Sequence, residues 1–244
     1  MNTPRFAFFD VDNTLINLKS MFSFHDYWYQ HWLPAQGRAA PQEYEDICAI
    51  LDTLARNGES REAINRRYYT FFTGRAVSEV AECALAWFEH HRHKPGLFIA
   101  ETRAELVRLQ QNGVTPVLVS GSFRAVLSPI AATLGVAHIL CTKLLVSGQC
   151  YSGRIAPPQT IGAGKAVAMR DFLQVHGGST QTCWAFGDDF SDFAMLTAVG
   201  HGVLLGGNPR LEDLARLKGL GILMRTAPVD DAACYAATSG RATG

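Results

Sequence analysis

Phe6-Ala7-Phe8-Phe9 runs directly into Asp10-Val11-Asp12-Asn13-Thr14. A short, uninterrupted apolar run has the right length for a buried strand. Where such a strand is parallel to its neighbours, ligands find an open crevice beyond its C-terminal end. Two carboxylates at i and i+2 in that position, followed by a hydroxyl, suit two kinds of chemistry. They could supply hard oxygen ligands to a divalent cation. One could also act as nucleophile and the other as general acid. The plainer alternative is an N-terminal strand that ends in a solvated acidic turn.

The remaining pattern decides what such a strand can belong to. Residues 20–92 read as consecutive helices, over Met21–Leu33, Pro41–Arg56, Ser60–Phe72 and Val77–His91, with no strand signal between them. Ser60 is a candidate N-cap, with Glu62 in the first turn. From about residue 95 the periods alternate. Helices are expected at Ile99–Asn112, Arg124–Leu134, Gly164–His176, Asp192–Thr197 and Pro209–Leu217. Strands are expected at Val114–Ser120, His138–Cys141, Thr182–Gly187, Gly202–Leu205 and Gly221–Met224. A hairpin is expected from Leu144–Ser147 and Cys150–Arg154, turning at Ser147-Gly148-Gln149. Alternation of this kind specifies a doubly wound, Rossmann-like parallel α/β sheet with helices on both faces. The helical run becomes an all-helical cap inserted after the first strand. The expected division is a core of residues 1–18 and 95–226, a cap of 19–94, and a frayed tail of 227–244 rich in Ala, Thr and Gly.

Composition excludes several classes. The chain has 244 residues, enough for a substantial core or a core plus an insertion. Its 22 basic and 22 acidic residues cancel, so no nucleic-acid partner is expected and cations in a pocket must act locally. Asp10 interrupts the first apolar run, which removes the pattern of a signal peptide. No apolar stretch is long enough to span a membrane. Six scattered cysteines without a CxxC pair read as reduced thiols of a cytoplasmic protein. The oligomeric state is left open.

Three further clusters follow strands or open helices. They are Val119-Ser120-Gly121-Ser122, then Gly162-Ala163-Gly164-Lys165, then Gly187-Asp188-Asp189-Phe190-Ser191-Asp192. Small residues beside Ser120 let backbone amides approach an anion closely. Ser122 is expected to cap the following helix. Lys165 stands in a helical first turn, where the helix dipole disfavours a cation, a cost that makes sense if it serves an anionic site. Taken in order over residues 6 to about 205, the four clusters resemble the haloacid dehalogenase superfamily, which consists mostly of phosphatases. The resemblance implies Asp10 as nucleophile and Asp12 as general acid/base. It implies a Mg2+ held by Asp10, Asp188 and the backbone carbonyl of Asp12, with Asp192 behind them. It also assigns Thr14, Ser120, Gly121 and Lys165 to the phosphoryl group. Asp12 argues for phosphate chemistry, because a dehalogenase branch lacks the second aspartate. Asp189 falls at a variable position and reads as a turn residue.

The helical insertion and the hairpin are similar to the phosphoserine-phosphatase-like branch. In that branch a glutamate stands nine residues after the nucleophile and binds the substrate ammonium. Here the position is Lys19, which would repel an ammonium and favour a neutral or anionic leaving group. Cap arginines of the family bind a substrate carboxylate, and Arg67 or its neighbour Arg66 falls near the corresponding place. Phe22, Phe24, Tyr27, Trp28 and Trp32 read as cap core more than as a substrate box. The expected function is a Mg2+-dependent phosphatase that hydrolyses a small phosphate monoester other than phosphoserine through an aspartyl-phosphate. The alternatives are a phosphotransferase and a non-catalytic binding protein on the same fold.

Overall fold

The computed structural model describes residues 4–226, so the expected tail 227–244 lies outside the described residues. β1 (Phe6–Phe9) leads into α1 (Ser20–Tyr27), α2 (Leu33–Ala35), α3 (Pro41–Arg56), α4 (Arg61–Thr70), α5 (Val77–Arg92) and α6 (Ala100–Gln111). Strands and helices then alternate as β2 (Thr115–Phe123), α7 (Arg124–Leu134), β3 (His138–Ser147), β4 (Cys150–Ala156), α8 (Ala163–His176), β5 (Trp184–Gly187), α9 (Phe193–Leu196), β6 (His201–Leu205), α10 (Pro209–Leu217) and β7 (Gly221–Leu223). Among the described residues, seven strands form one sheet in the order β4-β3-β2-β1-β5-β6-β7. All neighbours are parallel except β3 and β4.

This order places β1 between β2 and β5, with Phe9 beside both Leu118 and Phe186. The chain winds outward in opposite directions on the two sides of β1. The crevice at that switch point therefore opens over the end of β1, where Asp10 sits. Alternation along the strands feeds two apolar layers. Phe6 and Phe8 join Val117, Val119, Met169 and Phe172 on one face. Ala7, Phe9 and Leu118 join Phe24, Trp28, Tyr68, Tyr69 and Trp87 on the other. The inserted helices thus share one hydrophobic cluster with the sheet. Phe123 lies in the seam, its ring 5.7 Å from Phe24, 5.8 Å from Tyr69 and 5.1 Å from Phe72.

Backbone contacts reinforce that joint. Gly74 and Val77 donate to the carbonyls of Tyr151 and Gln149, both at 2.9 Å, and Tyr151 donates to Arg75 at 2.9 Å. The connection between α4 and α5 therefore pairs with β4.

Three local expectations differ from the structure. His138–Cys141 and Leu144–Ser147 form one continuous strand, β3, rather than two. The helix expected over Met21–Leu33 is broken by a π-helical turn, Trp28–Trp32, where adjacent Trp28 and Tyr29 are both buried. β2 continues past Ser120 to Phe123, with a register shift between those two residues. Consequently Ser122 does not cap α7. Phe123 occupies the cap position, with no side-chain cap bond.

The shared core makes a stability prediction. Phe123→Ala should cost about 3–5 kcal/mol, the usual range for a fully enclosed aromatic. Denaturant unfolding should show near-UV signals from the cap aromatics and far-UV signals from the sheet lost in one transition. Separate melting of the cap, with the sheet signal unmoved, would contradict this packing.

Candidate active site

Asp10 leaves β1 with its amide bonded to the Phe186 carbonyl at 2.9 Å, which fixes it against β5. The chain then turns tightly. The Val11 carbonyl accepts from the amides of Thr14, Leu15 and Ile16 at 3.3, 2.9 and 3.0 Å. Asn13 takes φ 59°, a left-handed conformation that asparagine tolerates better than most residues. This wrap puts Asp10, Asp12 and Asn13 on the wall of a cleft of about 330 Å³.

Two distant segments complete the inner end of the cleft. Lys165, in the first turn of α8, is buried, and its Nζ donates to Asp10 Oδ1 and, at 2.6 Å, to Asp192 Oδ1. Gly164 makes that placement possible, because a Cβ there would lie 1.8 Å from the Gln159 carbonyl oxygen. After β5, the Asp192 carboxylate accepts from the amides of Asp188 and Asp189 at 3.2 and 3.1 Å. Gly187 is required beneath it, since a Cβ would lie 2.6 Å from Asp192 Cβ. Thr14 Oγ1 donates to Asp188 Oδ1 at 2.8 Å. Carboxylate oxygens of Asp10, Asp188 and Asp192 all lie within 4.8 Å of one another.

β2 supplies the opposite wall. Ser120 Oγ accepts from the Ser122 amide at 3.0 Å, leaving its hydroxyl proton for an acceptor in the cleft. The buried Ser122 hydroxyl has no hydrogen-bond partner among the described residues and also lines the cleft. The Gly121 carbonyl accepts from Tyr69 Oη at 2.7 Å and Asn65 Nδ2 at 3.1 Å, so α4 holds this peptide in place. Gln159 Nε2 in turn donates to Asn65 Oδ1 at 2.7 Å.

The cluster is electrostatically unbalanced. Asp10, Asp12, Asp188 and Asp192 face one internal ammonium, Lys165. Burial pushes the Asp10 carboxyl well up; Lys165 opposes this, while Asp192, Asp188 and Asp12 add to it. Burial also raises Asp12, against Ser20, Lys165 and Lys19. Asp188 is pushed up to about 7 by burial and by Asp192 and Asp189. Burial opposes the charge of Lys165, but Asp10 and Asp192 outweigh it and hold the ammonium protonated. Burial likewise works against ionised Asp189, yet Arg61 and the Ser191 amide hold that carboxyl below its ordinary range. Three close carboxylates, Asp10 and Asp192 buried and Asp188 half-buried, offer hard oxygens that fit a small divalent cation, which would reverse the upward shifts.

The sequence-expected residues meet, with two exceptions. Thr14 is fully buried and does not line the cleft; its hydroxyl proton is engaged by Asp188 instead of a phosphoryl group. Lys19, at the N-cap of α1, does line the cleft. Arg67 does not. It is exposed and lies over the Phe71 ring, 5.0 Å from its centroid, and Arg66 bonds Gln159 at 2.8 Å. The buried face of α4 carries Ile64, Asn65, Tyr68 and Tyr69. Helical spacing from Ile64, Asn65 and Tyr68 puts Arg61 on that face, and Arg61 is the cap arginine that lines the cleft, bonded to Asp189 at 2.5 Å. Arg225 was not foreseen. It follows β7, donates to the Asn13 carbonyl at 3.3 Å and to Asn17 Oδ1, and lines the same cleft.

With this geometry in view, the comparisons with known proteins fall into place. Residues 7–197 match the model of the haloacid dehalogenase-like hydrolases. The chain belongs to that family. It is 26% identical over 223 residues to a probable phosphatase of Mycobacterium tuberculosis, covering 91% of this chain and 76% of that protein. It is 27% identical over 223 residues to a phosphoserine phosphatase of the same organism, covering 87% and 68%. A Bordetella pertussis protein of unknown function superimposes with a TM-score of 0.79 at 23% identity, covering 91% and 99%, which shows the shared fold. Among the described residues, no helix of this hydrolase is long and apolar enough to cross a membrane.

The raised carboxyls predict a pH dependence for the metal-free hydrolase. A folded-state pKa above the unfolded value means that the folded form holds protons that the unfolded form releases. That contribution is fully present below the unfolded value, about 4. It is lost as pH rises through the folded value, about 7 for Asp188. His25 and His91, lowered to about 4, act in the opposite sense, so the comparison is with Asp188→Asn, in which their contribution is the same. In chelator the melting temperature of wild type relative to Asp188→Asn should fall by a few degrees between about pH 5 and pH 8. Added Mg2+ should recover it at the upper pH. A difference that rises over this window without metal would show that the Asp188 carboxyl is not destabilised as described.

Proposed function

We propose that the protein is a phosphatase that hydrolyses a small phosphate monoester through an aspartyl-phosphate on Asp10. The observation that carries this reading is the contact of Lys165 with Asp10 at the switch point, with Asp12 beside them. The proposed units are a catalytic core of residues 1–18 and 95–226 and a cap of residues 19–94. The phosphatases among its relatives support phosphate chemistry.

An Asp10 oxygen attacks phosphorus while the bond from phosphorus to the leaving oxygen breaks. Lys165 favours the ionised form of the attacking group against its burial, and a bound divalent cation would add to that. Asp12, whose burial favours its protonated form, gives its proton to the leaving oxygen. The same carboxylate then takes a proton from water that attacks the aspartyl-phosphate. Asp10 is regenerated and inorganic phosphate is released. Ser120 and the Gly121 amide position the phosphoryl group, while Thr14 holds Asp188. Asp10, Asp188 and the Asp12 carbonyl would hold Mg2+, with Asp192 orienting the Asp188 and Asp189 amides and Lys165. When bound, the ion neutralises charge at the phosphoryl oxygens. Lys19 stands at the leaving-group side, close enough to lower the pKa of Asp12, and so disfavours an ammonium-bearing substrate such as phosphoserine.

Two tests follow. Asp10→Asn should lower turnover of an aryl phosphate by about three orders of magnitude or more while leaving the fold intact. Rapid quenching of wild type should place the label on Asp10, and label on another residue would remove the assignment. Asp188→Asn should weaken Mg2+ affinity, measured by calorimetry, by about tenfold or more, whereas Asp189→Asn should change it less. Equal losses in the two variants would mean that the turn after β5 has been misread.

A further inference from the structure

Most polar side chains of the cleft wall already have partners inside the protein. Ser120 Oγ accepts from the Ser122 amide at 3.0 Å. Asn65 donates to the Gly121 carbonyl at 3.1 Å and accepts from Gln159 at 2.7 Å. Asn208 Oδ1 caps α10, accepting from the amides of Arg210 and Leu211 at 3.1 and 3.4 Å. Three buried oxygens on residues of the lining have no hydrogen-bond partner among the described residues: Asp12 Oδ1, Asn13 Oδ1 and Ser122 Oγ. The first belongs to the group that protonates the leaving oxygen. The other two take no part in the reaction steps.

The backbone beneath each of these two is fixed. Asn13 is 8% exposed and left-handed; its amide donates to the Ile16 carbonyl at 2.7 Å and its carbonyl accepts from Arg225 at 3.3 Å. Ser122 is 2% exposed, and its peptide link to Gly121 is held by Ser120 on one side and by Tyr69 and Asn65 on the other. A buried oxygen without a partner costs stability. Here two such costs fall on opposite walls of one cleft, which points to a ligand that removes them.

The chemistry of the two atoms restricts that ligand. An amide oxygen only accepts, whereas a hydroxyl both donates and accepts. A dianionic phosphoryl group offers acceptors alone, so it can pair with Ser122 but never with Asn13 Oδ1. The donor for Asn13 must come from the leaving group. A hydroxyl supplies it and keeps lone pairs for the Ser122 proton, whereas an ammonium has none. We propose that the preferred substrate is the phosphate monoester of a polyhydroxy alcohol, a polyol or sugar phosphate, whose free hydroxyls pair with Asn13 Oδ1 and Ser122 Oγ. This rests on the phosphatase reading and names the leaving group that the reading leaves open.

Matched esters test it with the full chain and Mg2+. Ethylene glycol monophosphate and ethyl phosphate differ by one hydroxyl, glycerol 1-phosphate and propyl phosphate by two. Each hydroxylated ester should exceed its plain counterpart in kcat/KM by about tenfold or more, because the analogue leaves buried groups unpaired. Phosphoethanolamine should stay below ethylene glycol monophosphate. In Ser122→Ala, and in Asn13→Gly, which still adopts the left-handed backbone, the hydroxylated-to-plain ratio should fall several-fold. The melting temperature of Ser122→Ala without substrate should not fall, since the hydroxyl removed is unpaired. A fall of several degrees would show that this hydroxyl is already paired within the fold and would overturn its part in the inference. If plain esters equal or exceed hydroxylated ones, if phosphoethanolamine leads, or if both variants keep the wild-type ratio, the inference fails and the phosphatase reading stands. If none of the series and no aryl phosphate releases phosphate, both readings fall together.

Discussion

Everything at the inner end of the cleft depends on the Lys165 ammonium lying between Asp10 and Asp192. The site gathers four carboxylates where the sheet and the inserted helices exclude water. In a medium of low effective dielectric, uncompensated charges of one sign are costly enough that carboxyls protonate instead. One ammonium cannot balance four carboxylates, but it favours the ionised form of the two it touches, Asp10 and Asp192, against their burial. The same ammonium joins three segments that are remote in sequence: the end of β1, the first turn of α8 and the turn after β5. The geometry of the cluster therefore turns on one contact.

The inserted helices are bound into this arrangement instead of resting above it. Tyr69 and Asn65 of α4 hold the Gly121 carbonyl, and the Gly121–Ser122 peptide presents its other end, the Ser122 amide, to Ser120. The cleft wall that carries Ser120 and Ser122 is thus partly built by the inserted helices. Phe123, immediately beyond, carries the apolar seam between the same two units. The register shift in β2 between Ser120 and Phe123 makes both contacts possible. It releases the peptides around Gly121 from regular pairing with β3 while keeping Phe123 in the strand.

The core fold was legible because its determinants are local. Short apolar runs, helical periods and Gly-containing turns reveal β1, β5 and the core helices α6, α7 and α8 within a residue or two, while β2 runs three residues beyond its expected end. The catalytic cluster was legible for a related reason. Each member directly follows or opens such an element, so placing the element places Asp10, Asp12, Ser120, Lys165 and Asp188. Cap residues lack that anchor. Arg67 was favoured by its place in the chain, although the apolar spacing of Ile64, Asn65 and Tyr68 already turns it outward and Arg61 inward. Arg225 had no signal, because its position depends on where β7 ends relative to a loop that lies at the opposite end of the sequence. The break of the first cap helix at Trp28 and the continuity of β3 are likewise decided by tertiary packing, which overrides local pattern.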